Sequence, residues 1–116
     1  MNAVVKITNL RLRTIIGAYE WERVVRQDVV INITLEYNAL RAIESDNLNE
    51  ALDYKTLTKK IIEEVENSRF HLLESLAARV HSIVAGMPGF LRANVRVDKP
   101  GALRYADSVA VEISDG

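Results

Sequence analysis

Four side chains of this sequence could carry proton transfer or anion recognition: Glu22, Tyr54, Glu74 and Lys99. Glu74 stands at the edge of the run FHLLESLAARV, residues 70–80, where Leu72, Leu73, Leu76, Ala77, Val80, Ile83 and Val84 recur at the spacing of a buried helical face. One turn on, Ala77 and Ala78 are small, leaving room for a flat ligand beside the carboxylate. A first-turn acid is also favoured by the helix dipole alone, so Glu74 is a candidate rather than a site. Glu22 belongs to a polar and aromatic loop, residues 18–27, with Tyr19, Glu20 and Trp21. Acids in such loops are commonly solvated, but loops at strand ends are also where catalytic groups are carried. Tyr54 falls in the first turn of a predicted helix, where a tyrosine packs with a wet hydroxyl or donates a proton. Lys99 opens the turn Lys99-Pro100-Gly101 and so sets an amine at the end of a strand.

The elements that must position these groups follow from periodicity. Residues 4–12 read as a strand with an irregularity at Thr8 and Asn9, and Thr14–Gly17 lead out of it. Residues 28–37 alternate cleanly, with Val29, Ile31, Ile33, Leu35 and Tyr37 on the core side. After a polar passage, residues 44–50, a helix capped by Asp53 runs toward Asn67, burying Leu57, Ile61, Ile62 and Val65. The helix containing Glu74 follows and stops at Gly86-Met87-Pro88-Gly89. Strands at 90–98 and 107–114 complete the chain. The order ββααββ predicts an α+β fold: a four-stranded antiparallel sheet with both helices on one face. The uncovered face and the sheet edges then invite self-association that continues the sheet between subunits.

Composition narrows the functional classes. With 116 residues the chain is expected to be one domain, 1–116. A net charge of -1 offers no field for a polyanion, so no nucleic-acid role is expected. The chain has no cysteine, which removes disulfides, thiolate catalysis and cysteine-ligated zinc. His71 and His81, ten residues apart on one helix, are poorly placed to converge on one ion, so neither a metal nor a cofactor is expected. Lys6 and Asn9 interrupt the N-terminal apolar run, which therefore reads as neither a signal peptide nor a membrane span. A soluble, cytoplasmic protein is expected.

Five blocks in order, NLRLRTIIG at 9–17, RQDVVINIT at 26–34, ALDYKTLTKKII at 51–62, VENSRFHLLE at 65–74 and DKPGALRYADSV at 98–109, resemble the dihydroneopterin aldolase family. The resemblance implies the tunnelling fold, assembled as a ring of four subunits or a stacked pair making eight, with a β-barrel and active sites between subunits. It also implies a pterin substrate anchored at its amino-pyrimidine edge by Glu74, with backbone groups near Leu73, Leu52 and Asp53 completing that edge. A carboxylate can indeed accept two parallel hydrogen bonds from an N–C–N edge. By the same resemblance Glu22, Tyr54 and Lys99 are the catalytic set. ALRYADSV at 102–109 and NLRLRT at 9–14 resemble the branch that inverts C2′ of dihydroneopterin triphosphate, with Arg104 and Arg69, and also Arg11 and Arg13, as candidates for the phosphates. GAYEWE at 17–22 and KPGA at 99–102 look more like the branch that cleaves dihydroneopterin to glycolaldehyde. A pterin-binding or assembly module without turnover is the non-enzymatic alternative.

Overall fold

The computed structural model describes residues 1–115. Its elements are β1 (Asn2–Ile16), β2 (Gln27–Asn38), α1 (Leu40–Ser45), α2 (Tyr54–Glu66), β3 (Arg69–Phe70), α3 (Leu73–Ala85), β4 (Phe90–Pro100) and β5 (Ser108–Ser114), with 3-10 turns at Glu20–Arg23 and Leu48–Glu50. One sheet has the order β3-β1-β2-β4-β5. All its pairings are antiparallel except that of β3 with β1.

The core lies between this sheet and the two long helices. Leu57, Ile61 and Val65 of α2 and Leu76, Ala77, Val80 and Val84 of α3 pack over Val29, Ile31, Ile33 and Leu35 of β2 and Val95 and Val97 of β4. Each large aliphatic side chain buried there contributes about 1.5–3 kcal/mol. That seam, more than helix propensity, holds helices of this length in place. Asp53 caps α2 as expected, its Oδ1 accepting from the Thr56 N–H at 3.0 Å.

The irregularity expected near Thr8 and Asn9 is a bulge: the register passes from Ile7↔Ile33 to Leu10↔Ile31. Asn9 adopts φ 55° and its N–H donates to Asn32 Oδ1 at 2.9 Å. The extra residue switches the core-facing set of β1 from odd positions, Val5 and Ile7, to even ones, Leu12, Thr14 and Ile16.

Several expectations need correction. The sheet has five strands, because the segment between the helices forms β3 against Ile15 and Ile16; two residues are too few to show a period. The same pairing carries β1 through Ile16, beyond the expected end at Leu12. Phe70 therefore belongs to a strand, and Leu72 is the 53% exposed N-cap residue of α3, not part of its buried face. Within and before the polar passage at 44–50 lie α1 and a 3-10 turn. Lys99 sits inside β4, paired with Val109, and the turn proper falls at Gly101, φ 73°. The last strand starts at Ser108, not Asp107. Leu91 is 45% exposed, because the register steps from Tyr37↔Phe90 to Glu36↔Arg92 and leaves it out of the alternation.

The direction of the elements matters for the site. We call the upper end of the sheet the one where β1 and β4 finish and β2 and β5 begin. Helix α2 starts at the lower end, where Ala51 adjoins Tyr37, Asn38 and Gly89. It finishes at the upper end, where Thr14 Oγ1 donates to the Val65 carbonyl at 2.6 Å. Helix α3 runs back down. Among the described residues no helix is long and apolar enough to cross a membrane.

Candidate active site at the upper end of the sheet

Gly17 ends β1 with φ 128°, a conformation side chains resist, and the chain turns through Glu20–Arg23 back toward β2. That turn folds the Glu22 side chain inward against Gly17. From β4, the alternation that buries Val95 and Val97 points Lys99 to the same side, and its Nζ donates to Glu22 Oε2. The two side chains are only 6% and 13% exposed for Glu22 and Lys99 respectively. The Tyr19 N–H donates to Oε1 at 3.2 Å, and Gln27 Nε2 donates to Oε2 at 3.2 Å and to the Ile16 carbonyl at 2.7 Å. Burial pushes the Glu22 carboxyl up, but the hydrogen bonds from Lys99, Gln27 and the Tyr19 N–H outweigh it and hold the group below its ordinary value of 4.5. Glu22 is therefore an ionised acceptor at neutral pH. A buried ion pair seldom stabilises more than an apolar pair of the same volume, which makes this pair at a sheet end a candidate for chemistry.

The first turn of α3 begins at the same end. The Gly17 N–H donates to the Phe70 carbonyl at 3.1 Å, and three residues after Phe70 the helix opens with Leu73 and Glu74. Leu73 is half-buried and Glu74 exposed. No hydrogen bond or ion pair within the chain engages Glu74 among the described residues, so its two oxygens remain available to a ligand. Ala78, one turn on, is exposed beside it and Ala77 is buried.

Leu52, Asp53 and Tyr54 are not brought to this place. They precede or open α2 at the lower end, and 12 steps of helix, about 18 Å, separate Tyr54 from Glu66. Leu52 is buried in the core at 4% exposure, and Asp53 spends both carboxylate oxygens on Thr56. Tyr54 is 54% exposed. Within one chain the candidate residues thus lie at two opposite ends.

The arginines divide similarly. Arg13 pairs with Asp28 at 3.2 Å and donates to the Arg26 carbonyl, and Arg69 donates to the Arg23 carbonyl at 2.9 Å. Arg104 lies on the exposed 101–107 turn, its guanidinium 5.4 Å from the centre of the Tyr105 ring. Arg11 is exposed on the open face of the sheet. His71 is exposed, and His81 bonds to Asp115 at 3.0 Å and meets Phe90 edge-on. No group of three His, Asp or Glu side chains among the described residues is arranged to hold a metal ion. A concavity of about 730 Å³ lies between α2 and α3, with Lys60, Glu64 and Arg79 in its wall, and Glu22, Lys99, Glu74 and Tyr54 do not line it.

Sequence reasoning passed over Gly17, Arg23 and Gln27. A glycine between a strand and an acidic loop was a visible signal for Gly17. Arg23 and Gln27 reach backbone carbonyls, which every residue offers, so nothing in residue type could have singled them out.

Residues 5–114 match the model of the family described as dihydroneopterin aldolase, FolB. The chain belongs to the dihydroneopterin aldolase family. It is 50% identical over 112 residues to the dihydroneopterin triphosphate 2′-epimerase of Escherichia coli K12, covering 97% of this chain and 93% of the relative. It is 30% identical over 113 residues to the dihydroneopterin aldolase of the same strain, at the same coverage of 97% and 93%. The crystal structure of Escherichia coli dihydroneopterin aldolase in complex with neopterin superposes with a TM-score of 0.88 at 30% identity, covering 98% of this chain and 99% of that one. The α+β architecture is accordingly the tunnelling fold of this family.

Proposed function

We propose that this family member is an enzyme that inverts C2′ of 7,8-dihydroneopterin triphosphate, giving the dihydromonapterin form, by retro-aldol cleavage and re-addition. The observation that carries the chemistry is the buried Glu22–Lys99 pair at the sheet end that also presents the unengaged Glu74. The 50% identity to an epimerase, against 30% to an aldolase, supports inversion as the main outcome.

In this reading Glu74 accepts the N–C–N edge of the pterin, and backbone groups near Leu73, Leu52 and Asp53 complete the contact. Glu22 and Lys99 take the 2′-hydroxyl proton, directly or through a water. The electrons of the C1′–C2′ bond pass into the ring C=N, so the substrate itself is the electron sink and no Schiff base to Lys99 forms. The aldehyde fragment keeps the triphosphate, turns its other face, and re-forms the bond as the proton returns to the new 2′-hydroxyl. If Tyr54 protonates C1′ first, cleavage wins and the aldehyde leaves. That aldolase outcome is the second reading, and the aldolase-like GAYEWE and KPGA segments favour it. No step needs a metal. For the phosphates, Arg104 on its exposed turn is the freer candidate, whereas Arg69 is partly committed to the Arg23 carbonyl.

Because Tyr54, Leu52 and Asp53 stand at the far end of α2, a second subunit has to supply them. The outer edge of β1 ahead of Ile15 and that of β5 offer the means, continuing the sheet into a ring of four or a stacked eight. We read residues 1–116 as one cytoplasmic catalytic domain of that assembly.

The test is product analysis in chelator-containing buffer. Dihydroneopterin triphosphate should be inverted faster than it is cleaved. Faster release of glycolaldehyde from dihydroneopterin would make the aldolase the main activity, and tight pterin binding without product would mark a non-catalytic module.

A further inference from the structure

Arg23 is half-buried, and no carboxylate pairs with it among the described residues. Its flat guanidinium instead serves three backbone carbonyls: Nη1 donates to Gly17 at 2.9 Å and Phe70 at 3.0 Å, and Nη2 donates to Arg69. Arg69 returns the contact, its Nη2 donating to the Arg23 carbonyl at 2.9 Å. Two like charges are thus crossed over each other's backbone, an arrangement held by charge-assisted hydrogen bonds against their repulsion. What the clasp joins is specific. One side is the turn that carries Glu22, closed on Gly17; the other is β3, which runs within four residues into Leu73 and Glu74.

We propose that Arg23 is a positioning residue that fixes Glu22 relative to Glu74 and thereby sets how the cleaved intermediate divides between re-addition and release. The inference rests on the functional reading above and deepens it. Inversion requires that the aldehyde stay beside the pterin carbon while it turns, with the proton-holding pair at a constant distance from the ring's anchor. When the two carboxylates move independently, the fragment escapes or C1′ is protonated before the bond re-forms. Re-addition and release drain the same intermediate, so their ratio does not depend on how much of the protein is folded.

The experiment uses the full-length assembly of wild type, Arg23→Leu and Arg23→Lys with dihydroneopterin triphosphate, quantifying inverted and cleaved pterin from the same reaction. Arg23→Leu is expected to raise the cleaved-to-inverted ratio about tenfold, the scale of one lost charge-assisted hydrogen bond. Arg23→Lys, which keeps the charge and up to three donors without the flat fork, should fall between. If Arg23→Leu does not fold, Arg23→Gln carries the same expectation. A wild-type ratio in a folded variant whose total turnover falls would make Arg23 a loop staple and overturn the proposal alone. Neither product from wild type would overturn the functional reading, and this role with it.

Discussion

Replacing Gly17 with alanine is expected to disable the site while leaving most of the fold in place. An added Cβ would lie 2.2 Å from Glu22 Cδ and 2.3 and 2.4 Å from its two oxygens, far inside contact distance. At φ 128° the alanine is also strained, at a cost of about 1–3 kcal/mol. The obstructing atoms are the tip of a side chain, so the cheapest relief is for Glu22 to swing out, not for the sheet to move. That swing removes the contacts to Lys99, Gln27 and the Tyr19 N–H together. Losing a placed acid–base group typically lowers turnover by about 10²–10⁴-fold, or roughly 3–5 kcal/mol of barrier. Pterin affinity should change little, because Glu74 is held by α3. Urea unfolding would give the stability, fluorescence titration the affinity, and product analysis the rate. A folded Gly17→Ala protein that turns over at the wild-type rate would refute the idea that the Glu22 position matters.

Three other outcomes follow from the same geometry. Glu74→Gln should weaken pterin binding by about 1.5–3 kcal/mol, one charged hydrogen bond, and equal affinity by titration calorimetry would contradict the anchor role. Lys99→Met should spare binding and suppress turnover. It also alters acid stability: burial raises the Glu22 pKa, the Lys99 contact leads the groups that lower it, and the net folded value lies below 4.5. The stability this brings is complete above pH 4.5 and lost as pH falls through the folded value. Without Lys99 the burial is opposed only by Gln27 and the Tyr19 N–H, so the folded value rises and the loss of stability on acidification should shrink relative to wild type, which pH-resolved urea unfolding would detect. Finally, Tyr54→Phe and Lys99→Met, each impaired alone in releasing cleaved pterin, should complement in that release when dissociated, mixed equally and reassembled. With random assembly about a quarter of inter-subunit sites would hold both native residues, so no recovery of turnover would sink the composite site.

Much of the scaffold was legible from the residues alone. The alternation of Val29 to Tyr37, the Asp53 cap, the Gly86 stop and the irregularity at Asn9 each have a local cause, and each stands in the structure. Elements without a local period were not legible: β3 has two residues, and α1 buries none of its six. Among the candidate groups, the sequence marked Glu22, Tyr54, Glu74 and Lys99 as chemistry-bearing without saying which could meet.

That question belonged to the tertiary structure. Glu22 and Lys99 are 77 positions apart, and only the β1-β2-β4 register brings the turn after β1 and the end of β4 to one edge. The same register, with α2 climbing and α3 descending, sends Tyr54 to the opposite end from Glu74. Periodicity tells which side of an element is dry, because burial repeats along the element itself. Which end meets which is decided by strand pairing and helix direction, and those depend on contacts summed over the whole core.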